Sequence, residues 1–254
     1  MTVRDAIRDR EPVTATWVSI GHPAIAELSS ALDFDLVFLD TEHAPTSVET
    51  LENMLRGVAA GGDAAPVVRV PWNDPVRIKR VLDAGADGVM APMIDTREQA
   101  QSFVAAARYP PDGIRGVAPV RASGYVTGFE EYVETANDRV LTIAQIETER
   151  GVRNAGEIAA VDDLDALFVG PADLSTALGH FGAPDHKEVD DAIERVVEAA
   201  HDAGTAVGTI ATDTDDVPRW IDRGMDFLVV GLDIGYLADG AVEALETYQR
   251  ALNR

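Results

Sequence analysis

Short apolar runs alternate with amphipathic stretches along the whole chain. The runs are rich in β-branched and other aliphatic residues, and turn-forming or charged residues bound them. They predict eight strands, near residues 14–20, 36–40, 66–70, 88–92, 141–147, 166–170, 206–210 and 227–231. The segments between them place apolar residues at helical spacing and predict helices near 46–60, 75–86, 96–109, 149–161 and 188–204.

The order of these elements favours one fold class. Strands that are apolar throughout are typical of a parallel sheet covered on both faces. Eight alternating βα units favour a (β/α)8 barrel, a TIM barrel, in a single domain spanning residues 1–254. The pattern alone also allows an open doubly wound sheet, so closure is an expectation from the number of units.

Polar side chains follow most of the predicted strands. The carboxyl ends of all strands in such a barrel meet at one face, where barrel enzymes carry their chemistry. Gln145 and Glu147 project to the same side of their strand because side chains alternate with a period of two. We therefore expect a ring of polar groups at this face, made by Ser19, Asp40, Glu42, His43, Arg69, Gln145, Glu147 and Asp173.

Two carboxylates of this ring suit a metal ion. Glu147 and Asp173 follow consecutive strands and offer the oxygen ligands that hard divalent cations such as Mg²⁺ or Mn²⁺ prefer. Each carboxylate also has an ordinary structural interpretation as the cap of the helix that follows it. Together with the rest of the ring, the pair favours a metal site.

A histidine and an arginine in the ring suit proton transfer and charge stabilisation. Histidine exchanges protons near neutral pH, so His43 is the candidate base, with Asp40 or Glu42 fixing its tautomer. Arg69 lies in an otherwise apolar strand and needs an anionic partner, either a developing oxyanion or a structural ion pair with Asp40 or Glu42. The remaining histidines lack such company and are predicted to be surface residues: His22, His180, His186 and His201.

The ring describes one class of reaction. The sequence GPAD predicts a helix start at which the backbone N–H groups of Ala172 and Asp173 suit a substrate carboxylate. A glycine-rich phosphate cradle of Walker or Rossmann type is missing from the sequence. A metal that chelates a 2-oxo acid, a base that moves its methyl proton and an arginine at the enolate oxygen describe carbon–carbon bond cleavage or formation. The sequence therefore predicts an aldolase acting on a small 2-oxo acid and an aldehyde.

The charge of the chain excludes some partners. Its 44 acidic and 21 basic residues give a formal net charge of −23, which disfavours nucleic acid and anionic membranes. Neither a signal-peptide pattern nor a membrane-spanning apolar run is present, so we expect a cytoplasmic enzyme. A strongly acidic chain with two lysines, Lys79 and Lys187, is typical of a halophile, because concentrated salt screens self-repulsion. The absence of cysteine excludes thiolate chemistry.

Several long segments resemble one family. They read FLDTEHAPTSVETL, VVRVPWNDPVRIKRVLDAGADGVMAPMIDTREQA, ARYPPDGIRGV, QIETERGV and FVGPADLSTALGH. In this order they resemble the HpcH/HpaI family of metal-dependent pyruvate aldolases, which includes 4-hydroxy-2-oxoheptanedioate and 2-keto-3-deoxy-sugar-acid aldolases. The resemblance covers residues 14 to 240 and implies reversible cleavage to pyruvate and an aldehyde through a metal-stabilised enolate.

The resemblance also implies an assembly and roles for single residues. It implies that the last helix of the barrel is swapped with a neighbouring subunit, in a homo-oligomer that is a hexamer built as a trimer of dimers. It implies a divalent cation, Mg²⁺ or Mn²⁺ with Co²⁺ as an alternative, held by Glu147 and Asp173. The remaining implied roles are a catalytic pair of His43 and Asp40, Arg69 at the keto or enolate oxygen, Gln145 as a pocket residue, and Asp83 as an acid brought to a neighbour's active site.

The aldehyde partner and two alternative functions stay open at this point. A long dicarboxylic semialdehyde requires a basic group near the pocket, and the segment after the seventh strand, TIATDTDD, offers none. A short hydroxyaldehyde derived from a 2-keto-3-deoxy sugar acid is therefore expected. The alternatives are a CoA-ester lyase of the citrate lyase beta or malyl-CoA lyase type, and a barrel that binds a 2-oxo acid without turnover.

Overall fold

Eight parallel strands close into a barrel in the computed structural model, which describes residues 2–183 and 185–252. Each strand pairs with the next along the chain, and the eighth pairs with the first. The closed TIM barrel expected from the sequence is confirmed, and each strand overlaps its predicted apolar run. The strands are β1 (Val13–Val18), β2 (Leu36–Asp40), β3 (Ala65–Arg69), β4 (Gly88–Ala91), β5 (Leu141–Ile146), β6 (Ala166–Val169), β7 (Ala206–Ile210) and β8 (Phe227–Leu232).

Helices surround the barrel and begin at the caps that the sequence offers. Ser47 accepts a hydrogen bond from Thr50 N at the start of α3, and Asp74 accepts one from Arg77 N at the start of α4. The helices are α1 (Val3–Arg8), α2 (Pro23–Ser30), α3 (Val48–Gly61), α4 (Pro75–Asp83), α5 (Arg97–Ala107), α6 (Phe129–Arg139), α7 (Glu149–Arg153), α8 (Ala155–Ala159), α9 (Pro171–Ala177), α10 (Lys187–Ala203), α11 (Val217–Asp222) and α12 (Asp233–Leu252).

One predicted helix is divided in two. The pattern over 149–161 predicts a continuous helix, whereas the structure ends α7 at Arg153 and begins α8 at Ala155. Asn154 between them has φ −102° and ψ 7°, and its side-chain amide donates to the carbonyl of Asp95 at 2.7 Å. This side-chain bond to a distant backbone group fixes the break, which local periodicity cannot reveal.

The interior of the barrel is filled by side chains from alternate strand positions. Trp17 and Phe38 stack with ring centroids 5.2 Å apart, and Phe168 lies 6.0 Å from both Phe38 and Phe227. A second apolar layer joins the outer faces of the strands to the helices. The strands are buried on both faces, so their sequences are apolar throughout rather than alternating.

The strand register places the polar ring at one end of this interior. Asp40 is the register partner of Arg69, and Gln145 is the register partner of Phe168. Because all eight strands are parallel, their carboxyl ends open toward the same face. The charged residues that follow the short apolar strands therefore lie together at the carboxyl-terminal face of the barrel.

The last helix is the most exposed element of the barrel. Of the described residues of α12, only Asp233 is buried. Its exposed large side chains are Ile234, Tyr236, Leu237, Val242, Leu245, Tyr248 and Leu252. None of the described helices is long and apolar enough to cross a membrane.

We expect the thermal midpoint of unfolding to rise as KCl is increased into the molar range. The net charge of −23 means that acidic side chains repel one another in dilute buffer, which destabilises the folded chain. Salt weakens this repulsion, because the screening length falls from roughly 10 Å at 0.1 M to about 3 Å at 1 M. Thermal melts across a KCl series measure this effect, with an uncharged osmolyte of equal osmolality as the control. A flat or falling midpoint contradicts the halophilic interpretation.

Candidate active site

A cavity of about 460 Å³ opens at the carboxyl ends of the strands. A larger cavity, about 740 Å³, lies beside α1 and the beginnings of β1 and β3. The smaller one is the candidate active site, because barrel enzymes carry their catalytic groups at the carboxyl ends of the strands. Its lining includes Trp17, Ser19, Asp40, His43, Arg69, Gln145, Phe168, Gly170, Ala172, Asp173, Phe181, Gly182, Ile210, Thr212, Arg219, Trp220 and Leu232.

Arg69 is held by two acidic residues that follow β2. Its Nε and Nη2 donate to the two carboxylate oxygens of Asp40 at 3.0 and 2.8 Å, and its Nη1 lies 3.0 Å from Glu42 Oε2. Arg69 and Asp40 are both buried, and the Arg69 guanidinium lies 4.7 Å from the Trp17 ring centroid. The predicted ion pair therefore exists, and a bidentate pair of this kind fixes the guanidinium while it faces the cavity.

His43 lies at the open edge of this cluster. Its side chain is 69% exposed, and its Nε2 lies 3.9 Å from Glu42 Oε2. Asp40, the acid that the family resemblance pairs with His43, uses both carboxylate oxygens for Arg69, and one of them also accepts the Glu42 N–H. The structure thus places Glu42 beside the imidazole and gives Asp40 the task of orienting Arg69.

Gln145 and Glu147 lie side by side at the end of β5, as their spacing predicts. Gln145 Nε2 donates to Glu147 Oε2 at 2.6 Å, and Met93 N donates to Glu147 Oε1 at 2.8 Å. Burial, reinforced by the negative charges of Asp173 and Glu42, raises the pKa of Glu147 to about 7, although the Met93 N–H opposes the shift. A cation beside Glu147 would reverse this electrostatic cost.

Gly170 leaves a space between the two candidate metal ligands. A β-carbon placed on Gly170 would lie 3.4 Å from Glu147 Oε2 and 3.6 Å from Asp173 Oδ2, so both oxygens face the same small volume. The same point is 2.9 Å from Gln145 Nε2, so a side chain at position 170 would have to displace the end of the Gln145 side chain. Two carboxylates around a space without a side chain fit a hard divalent cation.

Ala172 and Asp173 belong to the first turn of α9, which begins at Pro171. The first N–H groups of a helix have no partner within the helix, and they are available to a ligand at this end of the barrel. Both residues line the cavity. The structure therefore brings the predicted carboxylate-binding turn next to the candidate metal ligands.

Asp83 lies apart from this cavity within one chain. It ends α4, and its carboxylate accepts a hydrogen bond from Arg115 Nη2 at 2.9 Å. The Arg115 side chain is fully buried, whereas Asp83 keeps 18% of its side-chain surface exposed. The expected contribution of Asp83 to the active site of a neighbouring subunit requires an assembly of several chains, and it stays a prediction.

Sequence reasoning missed several residues of the cavity, and two of them, Trp17 and Gly170, lie next to predicted site residues. Trp17 provides the surface beneath Arg69, and its signal is the alternation that places it on the same side of β1 as Ser19. Gly170 was part of the quoted GPAD segment, but its importance depends on Glu147 and Asp173 meeting beside it. Such a meeting depends on tertiary structure and leaves no local signal.

Comparisons with known proteins identify the family of this chain. The family model described as HpcH/HpaI aldolase/citrate lyase matches residues 14–239. A relative from Delftia acidovorans, named hydroxypyruvate/pyruvate aldolase, is 42% identical over 246 residues, covering 96% of this chain and 91% of that protein. A Klebsiella pneumoniae 4-hydroxy-2-oxo-heptane-1,7-dioate aldolase is 41% identical over 244 residues, covering 95% of this chain and 91% of that protein.

A solved structure agrees as well. A crystal structure of a family member from Burkholderia cenocepacia superposes with a TM-score of 0.94 at 38% identity, covering 97% of this chain and 98% of that chain. The matched family model spans both candidate metal ligands, the candidate base and the buried arginine. This chain therefore belongs to the HpcH/HpaI aldolase/citrate lyase family.

Proposed function

We propose that this protein cleaves a short 2-keto-3-deoxy sugar acid reversibly to pyruvate and a hydroxyaldehyde, with Mg²⁺ or Mn²⁺ held by Glu147 and Asp173. The observation that carries the proposal is the space beside Gly170, which the carboxylate oxygens of both residues face. Arg69 and His43 line the same cavity. A cation held beside Gly170 would therefore share one site with a fixed positive charge and a proton carrier.

The class of reaction follows from the family. The protein is a class II pyruvate aldolase, a carbon–carbon lyase of a metal-dependent family that cleaves 4-hydroxy-2-oxo acids to pyruvate and an aldehyde. The aldolase predicted from the sequence is thus confirmed over the CoA-ester lyase and the non-catalytic barrel. The identity of the metal and of the aldehyde are the finer parts of the proposal.

Each residue has a separate task in this reaction. A divalent cation held by Glu147 and Asp173 would supply Lewis-acid polarisation of the substrate's 2-oxo group. Arg69, fixed by Asp40, stabilises the negative charge that develops on that oxygen when the C3–C4 bond breaks and its electron pair moves into the enolate. His43 takes the proton of the C4 hydroxyl as the C3–C4 bond breaks and the aldehyde forms, and it then donates this proton to C3 to give pyruvate. Both transfers run in reverse in the direction of synthesis.

Two groups orient the substrate before this step. The first-turn N–H groups of Ala172 and Asp173 suit its carboxylate. Gln145 is buried, and its Oε1 has no hydrogen-bond partner among the described residues, so it can accept a hydrogen bond from a substrate hydroxyl. Both contacts serve binding rather than proton transfer.

The cavity wall favours a short, uncharged aldehyde. Arg219 lines the cavity, which the sequence pattern did not predict, but its Nη2 donates to Asp190 at 2.8 Å and its Nη1 pairs with Asp185. The positive charge that a distal carboxylate would need is therefore already neutralised by the chain itself. Ile210 and Leu232 add apolar surface to the same wall.

The proposed function is tested by measuring pyruvate release from a panel of 4-hydroxy-2-oxo acids. The panel compares short 2-keto-3-deoxy sugar acids with a dicarboxylic substrate, each with and without Mg²⁺ or Mn²⁺. We expect the highest kcat/KM for a short sugar acid and a requirement for metal with every substrate. A clear preference for the dicarboxylic substrate overturns the substrate assignment but leaves the aldolase class intact.

Glu147→Gln should weaken the affinity for the divalent cation by about tenfold or more, and high Mn²⁺ or Mg²⁺ should recover part of the activity. The substitution removes one of the two negative charges that face the space beside Gly170. Isothermal titration and activity at increasing metal concentration measure both effects. Glu149→Gln is the matched control, because Glu149 is exposed and pairs with Arg153. If the metal titration of Glu147→Gln is unchanged, Glu147 is not a metal ligand and its role is structural.

We also propose that α12 is swapped between subunits in a hexamer. Seven large apolar side chains of this one helix are exposed, and exposed apolar residues gathered in one place mark an interaction surface. Near its start, Tyr236 lies 3.3 Å from Thr16 through their hydroxyl groups, so the base of the helix stays with its own barrel. Sedimentation equilibrium of the full chain should report six copies, and a monomer would contradict the swap.

A further inference from the structure

Two histidines and a glutamate meet between α9 and the start of α10. The rings of His180 and His186 stack with centroids 3.5 Å apart and an interplanar angle of 18°. His180 Nε2 lies 2.8 Å from Glu188 Oε2. One ligand atom from each of the three residues lies within 4.8 Å of the other two.

His180 and His186 lie at the surface, as the sequence predicts, but they are not isolated from each other or from an acid. His186 is the N-cap of α10, where its Nδ1 accepts a hydrogen bond from Glu188 N at 3.3 Å. The chain returns from α9 to this cap so that His180 lies against His186. The clustering depends on the loop between two helices, so spacing along the sequence does not reveal it.

We propose that His180, His186 and Glu188 bind a transition-metal cation of the Zn²⁺ class at a second site, separate from the site of Glu147 and Asp173. Two imidazoles and one carboxylate form a ligand set that Zn²⁺ accepts, with water completing the coordination. Imidazole nitrogen also suits Ni²⁺ and Cu²⁺ but is a poor ligand for Mg²⁺. The chemistry of the donors therefore separates this site from the oxygen-only site in the barrel.

The cost of loading this site is small. Binding replaces the long 3.3 Å bond at the α10 cap and the single contact between His180 and Glu188. The Glu188 side chain is 63% exposed and the His180 side chain 24%, so a cation reaches the cluster from solvent without opening the core.

The position of the cluster connects it to the active-site cavity. Phe181 and Gly182 directly follow His180 and line that cavity. Asp185 precedes His186 and pairs with Arg219, which lines the cavity from the other side. A cation bridging His180 to the start of α10 would therefore restrain the part of the cavity wall that surrounds the aldehyde.

The test is a Zn²⁺ titration of the full-length enzyme in saturating Mg²⁺, followed by the imidazole ¹⁵N signals of its five histidines. We expect the signals of His180 and His186 to shift together, with those of His22 and His201 unchanged. Competition with a zinc-binding dye gives the stoichiometry and affinity. His180→Gln should bind one equivalent fewer or lose at least about tenfold in affinity for that equivalent.

The variants are chosen so that loss of folding does not imitate loss of the site. Glutamine at position 180 keeps a side-chain N–H donor for Glu188 but is a much poorer zinc ligand. His201→Gln is the matched control, because His201 pairs with a single carboxylate, Asp226, at 3.1 Å. Identical zinc titrations of the wild type and His180→Gln, or shifts confined to His43, overturn the proposal. Neither result bears on the aldolase reaction, which the pyruvate-release assay tests separately.

Discussion

Replacing His43 by alanine should lower the exchange of pyruvate C3 protons with solvent by about 10²–10⁴-fold, the usual contribution of a positioned base. The affinity for the divalent cation should stay close to that of the wild type. The imidazole lines the cavity beside Glu42, whereas the candidate metal ligands are Glu147, which directly follows β5, and Asp173 on α9. Loss of ²H from labelled pyruvate, measured by NMR, reports the exchange, and calorimetric titration reports the metal.

A control separates this loss from general damage to the barrel. His22→Ala removes a histidine from the loop after β1 that is exposed and serves only to cap α2. It should leave the exchange rate near that of the wild type, at the cost of a helix cap. If His43→Ala retains most of the exchange, a different base acts at C3, and Glu42 is the next group to test because it is the acid nearest to His43.

The fold was predictable because burial on both faces leaves a strong local signal. Segments such as Leu36–Asp40 and Phe227–Leu232 are apolar for almost their whole length, as parallel strands that are buried on both faces require. The ends of helices could also be predicted from single residues. Gly204, for example, ends α10 with φ +76°, a conformation that favours glycine.

The candidate site was predictable only in part. Parallel strands bring their carboxyl ends together, so Arg69 next to Asp40 follows from topology. The acid beside His43 is decided by the turn after β2. Both carboxylate oxygens of Asp40 already bind Arg69, so Glu42 is the acid that lies near His43. The pairing of His180 with His186 depends on the path of a loop. Such contacts are decided by tertiary structure and have no periodicity to reveal them.

Exhaustive treatment with EDTA should abolish turnover, and Mg²⁺, Mn²⁺ or a similar ion should restore it. Borohydride added with pyruvate should leave no covalent adduct on the protein. These outcomes separate the metal-dependent route from a Schiff-base route, which requires a lysine amine near the substrate carbonyl. Pyruvate release measures turnover, and intact-protein mass spectrometry detects any reduced adduct.

The positions of the two lysines make this test decisive. Lys79 lies on α4, outside the barrel, and Lys187 begins α10, where its ammonium group binds Asp191 and its side chain is 84% exposed. Neither lines the active-site cavity, and an exposed lysine held by a carboxylate is not activated as a nucleophile. One carboxylate oxygen each of Glu147 and Asp173 instead lies beside Gly170, and Gly170 and Asp173 line that cavity. A pyruvyl-lysine mass shift, or full activity after chelation, would therefore contradict the roles assigned to Glu147 and Asp173 together.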